Sequence, residues 1–441
     1  MLRSLVFLWW ILALFGFTGS PAAADSDWLA ALTGADTVVG AASLVGRAEQ
    51  ASQRAPLQGL IQDLERLRYL AFKRFVPWHV KNPDAVRTFL QRVMKKYYPV
   101  RQSEVDEAML FHLAFTDRDF EIRPFLEELY TEQIAGLYDT ETGEFFVVHK
   151  EKGLLERAVA GGKEEQAMIN IHELDHALSD QHFNLKKLEE EALKSGSTDR
   201  QMALGALLEG DATLVMMDYP LRHSGLDSDA NAVAMSELGD FMAAVPWFPG
   251  AGQYTSAPLY FKRALIFPYY VGMDFVREIR RFGGWTMVNH MYGEVPVSTE
   301  QIYHPEKYYE DRDMPVEVST RALPEAIDGW TKVGDDTGGE FLVRVFLEQH
   351  GARRVEAAAA GWGGDRFRVY RKGEETFLLW ILEWDSAREA EEFEREARSA
   401  IDGTYSLERQ GTRVVLGHGI PPKLIDGLER AARRGGLRPA P

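Results

Sequence analysis

No cysteine occurs in this chain, and that absence constrains its folding more than any residue it contains. There is no disulfide to close a loop, no thiolate nucleophile and no sulfur ligand for a metal. No disulfide framework holds the fold. A chain of 441 residues that is 45% hydrophobic and 11% aromatic has enough material for two or three packed domains, and it is too apolar for intrinsic disorder. Any metal has to be bound by His, Asp or Glu. Against 67 Asp+Glu stand 50 Lys+Arg, for a formal net charge of -17. That is the wrong sign for a nucleic-acid surface, and no nucleic-acid partner is expected.

The first 24 residues read as a secretory signal peptide. Arg3 is the positive region, Leu5 to Phe17 an uninterrupted apolar run, and Ala22-Ala23-Ala24 a small-residue cleavage site before Asp25. The run is short against the roughly 20 residues of a membrane span. A secreted or periplasmic protein without stable membrane insertion is therefore expected. The alternative is a membrane-anchored protein that keeps its signal.

Beyond it, the pattern predicts an α+β fold, predominantly helical. Residues 25–130 form a helical N-terminal region, with Leu57, Leu60, Ile61, Leu64, Leu67 and Leu70 at three- and four-residue spacing and Phe89, Val93 and Tyr97 on a second face. A further helix or helix pair over 105–135 is broken near Pro124. Residues 131–320 form the domain expected to carry chemistry. A turn at Asp139 to Gly143 leads into a β-rich segment, then a strong helix from Lys163 to Phe183. Helices are predicted near 200–218, 260–281 and 284–292. Residues 321–441 read as a small C-terminal α+β domain with helices at 337–350 and 386–400, strands at 366–371 and 376–384, a hairpin at Gln410-Gly411 and a last helix from Pro422. Gly361 to Asp365 reads as a turn with a packed Trp, and Arg388 to Arg398 as a solvated helix face.

Chemistry concentrates at His172-Glu173-Leu174-Asp175-His176. On a helix, residues four apart share a face, so His172 and His176 can present two imidazoles to one Zn²⁺, with Glu173 placed to act on water as general base. A catalytic zinc needs a third protein ligand. In Leu207 to Thr213, Glu209 is an acid among small and apolar neighbours, and a buried carboxylate is costly unless paired or metal-bound. Asp211 is its rival for that role, and the loser can orient a ligand imidazole, as can Asp180. His182 lies on another side of the helix and is not expected to be a ligand. His304, in Ile302 to Pro305, is a candidate proton donor or substrate contact.

His-Glu-x-x-His followed by a Glu on a later helix resembles the gluzincin group of zinc metallopeptidases. Longer strings resemble a bacterial family of gluzincin-like metallopeptidases: Glu132 to Asp139, His172 to Phe183, Leu208 to Leu214, Phe267 to Gly272, Ser298 to Tyr308 and Gly361 to Arg366. The resemblance implies a zincin-like catalytic domain in which His172, His176 and Glu209 bind zinc and Glu173 polarises the attacking water. Pro268 to Gly272 resembles the Pro-Tyr-x-x-Gly segment of aminopeptidase N-like gluzincins, which makes Tyr269 the candidate oxyanion donor. In zincins a strand placed like the one ending at Val147-Val148 forms the cleft edge that pairs with an extended peptide. No Gly-x-Met-Glu-Asn segment is found, which leans towards an endopeptidase. Asp175 departs from the family, where Thr is commoner, and its charge would tighten metal binding or shift the base pKa. The expected partner is a peptide or protein substrate. The rivals are a zinc hydrolase of peptidoglycan stem peptides or esters, and a non-catalytic binding protein, against which an intact Glu173 argues. Residues 25–130 are also a candidate inhibitory pro-region.

Overall fold

The leucine run folds into helix α1 (Gln58–Arg68), which buries Ile61, Leu64 and Leu67 in a computed structural model that describes residues 57–134, 136–148, 162–223, 252–310, 312–434 and 437–439. The signal segment 1–24 and the stretch 25–56 lie outside the described residues. Strand β1 (Trp78–Lys81) follows. Helix α2 (Pro83–Tyr97) starts where Asn82 accepts a hydrogen bond from the Ala85 amide and Pro83 occupies the first turn. Helices α3 (Val100–His112) and α4 (Ile122–Gln133) come next. The expected break near Pro124 falls between α3 and α4, and Pro124 itself lies just inside the second helix. Its missing N–H costs nothing in that first turn.

Strands β2 (Gly136–Asp139) and β3 (Glu144–Val148) form a hairpin whose turn is closed by the Thr142 and Gly143 amides donating to the Asp139 carbonyl. Gly143 adopts a φ of 72° there, a conformation that favours glycine. β1 pairs in parallel with the other side of β3, giving the order β1-β3-β2. The expected boundary at residue 130 therefore runs through a single sheet.

The central helices are α5 (Gly162–Phe183), α6 (Leu185–Ser195), α7 (Thr198–His223), the short α8 (Gly252–Ser256) and α9 (Leu259–Met291). α9 kinks at Gly283 and Gly284, whose dihedrals are non-helical, where the sequence predicted two helices. Two short turns, α10 (Thr299–Tyr303) and α11 (Glu306–Tyr309), lead to strand β4 (Val316–Val318).

The remainder is built on strands β5 (Ala326–Ile327) and β6 (Trp330–Asp336), helices α12 (Gly339–Gln349) and α13 (Val355–Ala359), strands β7 (Trp362–Lys372) and β8 (Glu375–Trp384), helix α14 (Ala387–Ala400), strands β9 (Tyr405–Gln410) and β10 (Arg413–His418), and helix α15 (Pro422–Arg433). A last strand, β11 (Leu437–Pro439), pairs with β4. β5 to β10 make one antiparallel sheet in the order β5-β6-β7-β8-β10-β9. Alternation along β8 explains its continuous apolar sequence. Leu378, Trp380 and Leu382 join the main core, while Phe377, Leu379 and Ile381 pack with Leu424 and Leu428 of α15 on the opposite face. The Gly361 to Asp365 stretch is not a turn: β7 begins at Trp362, which is buried as expected. The molecule is α+β and predominantly helical, with a small antiparallel domain at its C-terminal end.

The main core runs without interruption from Leu57 to Leu416. Polar ties cross it as well. Asp336, at the end of β6, accepts from the Thr198 amide and hydroxyl and so caps α7. Among the described residues, no helix is long and apolar enough to cross a membrane.

Candidate metal centre

α5 and α7 each contribute one face to the centre. One turn of α5 separates His172 from His176, and their Nε2 atoms lie 3.1 Å apart. From α7, Glu209 Oε2 lies 3.2 Å from His172 Nε2 and 3.4 Å from His176 Nε2. All three side chains are buried. Tetrahedral ligands about 2.0–2.1 Å from a zinc ion are roughly 3.4 Å from one another, so the three atoms have the spacing that one ion requires. Burial opposes charge on both, yet the imidazoles pull the Glu209 carboxyl down to about 2, and Glu209 and Glu173 lift His176 to about 9. His172 is lowered by its burial. Glu209 Oε1 has no hydrogen-bond partner among the described residues.

Glu173 points to the β2 side of α5. Burial pushes its carboxyl up to about 8, against the pull of His176 and with a further push from Glu209. Neither carboxylate oxygen has a hydrogen-bond partner of good geometry among the described residues. Gly136 makes the room: a Cβ there would lie 2.6 Å from Glu173 Oε1. The sequence-based expectation for the cleft edge needs correction. β3, ending at Val148, is the central strand with neighbours on both sides, and the edge strand beside Glu173 is β2.

Tyr269 reaches the same place from α9. Its ring lies 6.4 Å from that of His172. Its buried hydroxyl has no partner among the described residues, and burial, then Glu209 and Glu173, push its pKa well up. The approach of α9 depends on glycine. A Cβ on Gly272 would meet the Ala206 carbonyl oxygen at 2.2 Å, and one on Gly210 would meet the Gly272 backbone at 2.2 Å.

Asp211 is not in the triad. Its Oδ2 accepts from the Tyr292 hydroxyl at 2.5 Å and pairs with Arg68 at 2.9 Å. Arg68 also pairs with Asp175, so this acid faces a guanidinium. Burial, followed by Asp211, pushes the Asp175 carboxyl up to about 7 against the pull of Arg68. Asp180 holds no imidazole. It accepts from the Tyr138 hydroxyl at 2.8 Å and the Leu185 amide at 3.0 Å, tying β2 to α5. His182 contacts the Ala71 carbonyl at 2.8 Å, away from the triad.

His304 is not brought to the centre. Its Nε2 lies 3.1 Å from buried Glu340, its Nδ1 lies 3.7 Å from Glu306, and Arg344 is adjacent. It caps α10 and belongs to a polar cluster with α12. The residues sequence reasoning missed are Gly136, Gly210, Arg68 and Tyr292. For the two glycines the signal was available, since both stand inside the strings that carry the family resemblance. A second acidic group, Glu300, Asp313 and Asp385, already surrounds a cation: Lys307 Nζ lies 2.6, 3.0 and 2.8 Å from them. A cleft of about 400 Å³ lined by His350, Asp402, Tyr405 and His418 contains none of the triad.

The family described as "Domain of unknown function (DUF8575)" matches residues 325–428, the antiparallel sheet with its helices. None of the metal-centre residues falls in that span. No curated protein and no solved structure matches the chain.

Proposed function

We propose that this chain is a zinc-dependent hydrolase of peptide bonds. His172, His176 and Glu209 are the ligands, Glu173 the general base and Tyr269 the oxyanion donor. The observation that carries the reading is the convergence of unpartnered buried polar atoms on one point. Among the described residues, Glu209 Oε1, both oxygens of Glu173 and the Tyr269 hydroxyl have no hydrogen-bond partner of good geometry, beside a triad with ligand spacing. Buried polar groups are otherwise satisfied in folded proteins, so this set is arranged for something that binds. Two His and one Glu match the three-ligand sets of hydrolytic zinc.

When bound, the metal supplies Lewis acidity towards a carbonyl and towards water. The chain's own residues supply the rest. Glu173, destabilised as an anion by burial, takes the proton from the attacking water and delivers it to the amine that leaves as the C–N bond breaks. The Tyr269 hydroxyl, with no competing partner among the described residues, donates to the carbonyl oxygen as that oxygen gains negative charge. β2, the edge strand beside Glu173, is where an extended peptide would add its backbone, which fits an endopeptidase. Export through the signal at residues 1–24 belongs to the same reading.

The test is metal content and hydrolysis of a peptide library by the full chain, wild type and Glu173→Gln. One zinc per chain, with cleavage lost in the variant and zinc retained, supports it. A chain that takes up no metal overturns the centre. Stoichiometric zinc without hydrolysis of peptides, peptidoglycan stem peptides or esters replaces the enzyme with a binding protein.

A further inference from the structure

Behind the triad lies a second buried constellation that the reaction does not use. Arg68, the last residue of α1, is fully buried. Its Nη1 pairs with Asp175 on α5 and, at 2.9 Å, with Asp211 on α7. Its Nη2 donates to the Asn289 side chain of α9 at 3.1 Å, and its guanidinium lies 4.7 Å from the centre of the Trp285 ring. Tyr292 completes the group by donating to Asp211. One side chain thus touches the three helices that carry the candidate site. The contacts fall beside the ligands, since Asp175 immediately precedes His176 and Asp211 stands two residues after Glu209.

We propose that Arg68 is a positioning residue for the metal centre, fixing the spacing of the two ligand-bearing helices through Asp175 and Asp211 and thereby setting metal affinity. The inference rests on the reading of His172, His176 and Glu209 as a metal site. A guanidinium suits the task because its planar fork reaches several acceptors in fixed directions, which a lysine ammonium cannot do. Groups that orient metal ligands from behind typically change affinity about 10–100-fold when removed. Arg68 also precedes the sheet and comes from the segment read as a removable pro-region. If it sets the centre, that segment is part of the working protein.

The experiment measures zinc affinity of the full chain by competition with a chromophoric chelator for wild type, Arg68→Met, Arg68→Lys and Leu416→Ala. Leu416 is a fully buried residue of β10 and controls for general loss of stability. Zinc binding about 10–100-fold weaker in Arg68→Met, partly restored in Arg68→Lys and unchanged in Leu416→Ala, is the expected result. If Arg68→Met does not fold, the position of Arg68→Lys between wild type and a tenfold loss decides. Wild-type affinity in both Arg68 variants, or equal weakening in Leu416→Ala, overturns the inference while leaving the metal site standing. A wild type that binds no zinc removes the site itself, and the inference with it.

Discussion

Gly210 and Gly272 bring the backbones of α7 and α9 into direct contact, so close that a Cβ on Gly210 would lie 2.2 Å from the Gly272 carbonyl carbon. Gly210 follows Glu209, and Gly272 stands three residues after Tyr269. The contact therefore sets the distance between the candidate ligand and the candidate oxyanion donor. Gly210→Ala has no flexible neighbour to displace, because the obstacle is backbone. We expect a loss of about 1–3 kcal/mol or more, as for other overpacked interiors, together with weaker metal binding. Urea unfolding and zinc titration of the same preparation check both. Wild-type values for the two would show that the helices separate at no cost.

For Tyr269→Phe the absence of a partner fixes the sign of the stability effect. The hydroxyl is buried and makes no hydrogen bond among the described residues, so deleting it removes a desolvated group and no interaction. Stability should be unchanged or higher. If the hydroxyl donates to the developing oxyanion, kcat should fall about 10²–10³-fold with little change in KM. Parallel thermal melts and steady-state kinetics test this. An unchanged kcat would remove Tyr269 from the reaction.

His304→Ala should behave in the opposite way. Removing the imidazole takes a partner from Glu340, whose side chain is fully buried and whose Oε2 has no partner among the described residues. Arg344 still pairs with Glu340 at 2.6 Å. The expected cost is about 1–3 kcal/mol of stability, with kcat/KM within about threefold of wild type. A loss of activity of 10²-fold at wild-type stability would return His304 to the site.

What the sequence disclosed follows from the range of the interactions involved. His172 and His176 were legible because one helical turn fixes their relation, and Glu209 because an acid in an apolar helix pattern signals burial. The strands of the C-terminal sheet and the kink in α9 carry local signals too, through alternation and paired glycines. β1 has only four residues and no alternation, and it exists because β3 supplies its ladder. Arg68 reaches Asp175 across 107 positions, a relation that no local periodicity encodes. His304 was misplaced for the same reason, since its partner Glu340 lies 36 residues away on another helix.

Asp106 on α3 gives a pH prediction independent of the metal centre. It is fully buried and accepts from the Tyr98 hydroxyl at 2.7 Å and the Gln102 amide at 2.9 Å. Burial outweighs those bonds and pushes its carboxyl up to about 6, against about 3.9 in an unfolded chain. Between these values the folded state binds more protons than the unfolded one. Stability therefore falls as pH rises through the window and levels off above it. The penalty at pH 7 is on the order of 3 kcal/mol relative to a carboxyl with no shift. Asp106→Asn keeps an acceptor for Tyr98 and Gln102 and cannot ionise. The difference in unfolding free energy between variant and wild type should therefore shift towards the variant by that amount from pH 4 to pH 7. Urea unfolding across that range measures it. A difference independent of pH would mean that Asp106 titrates in the folded chain as it does in the unfolded one.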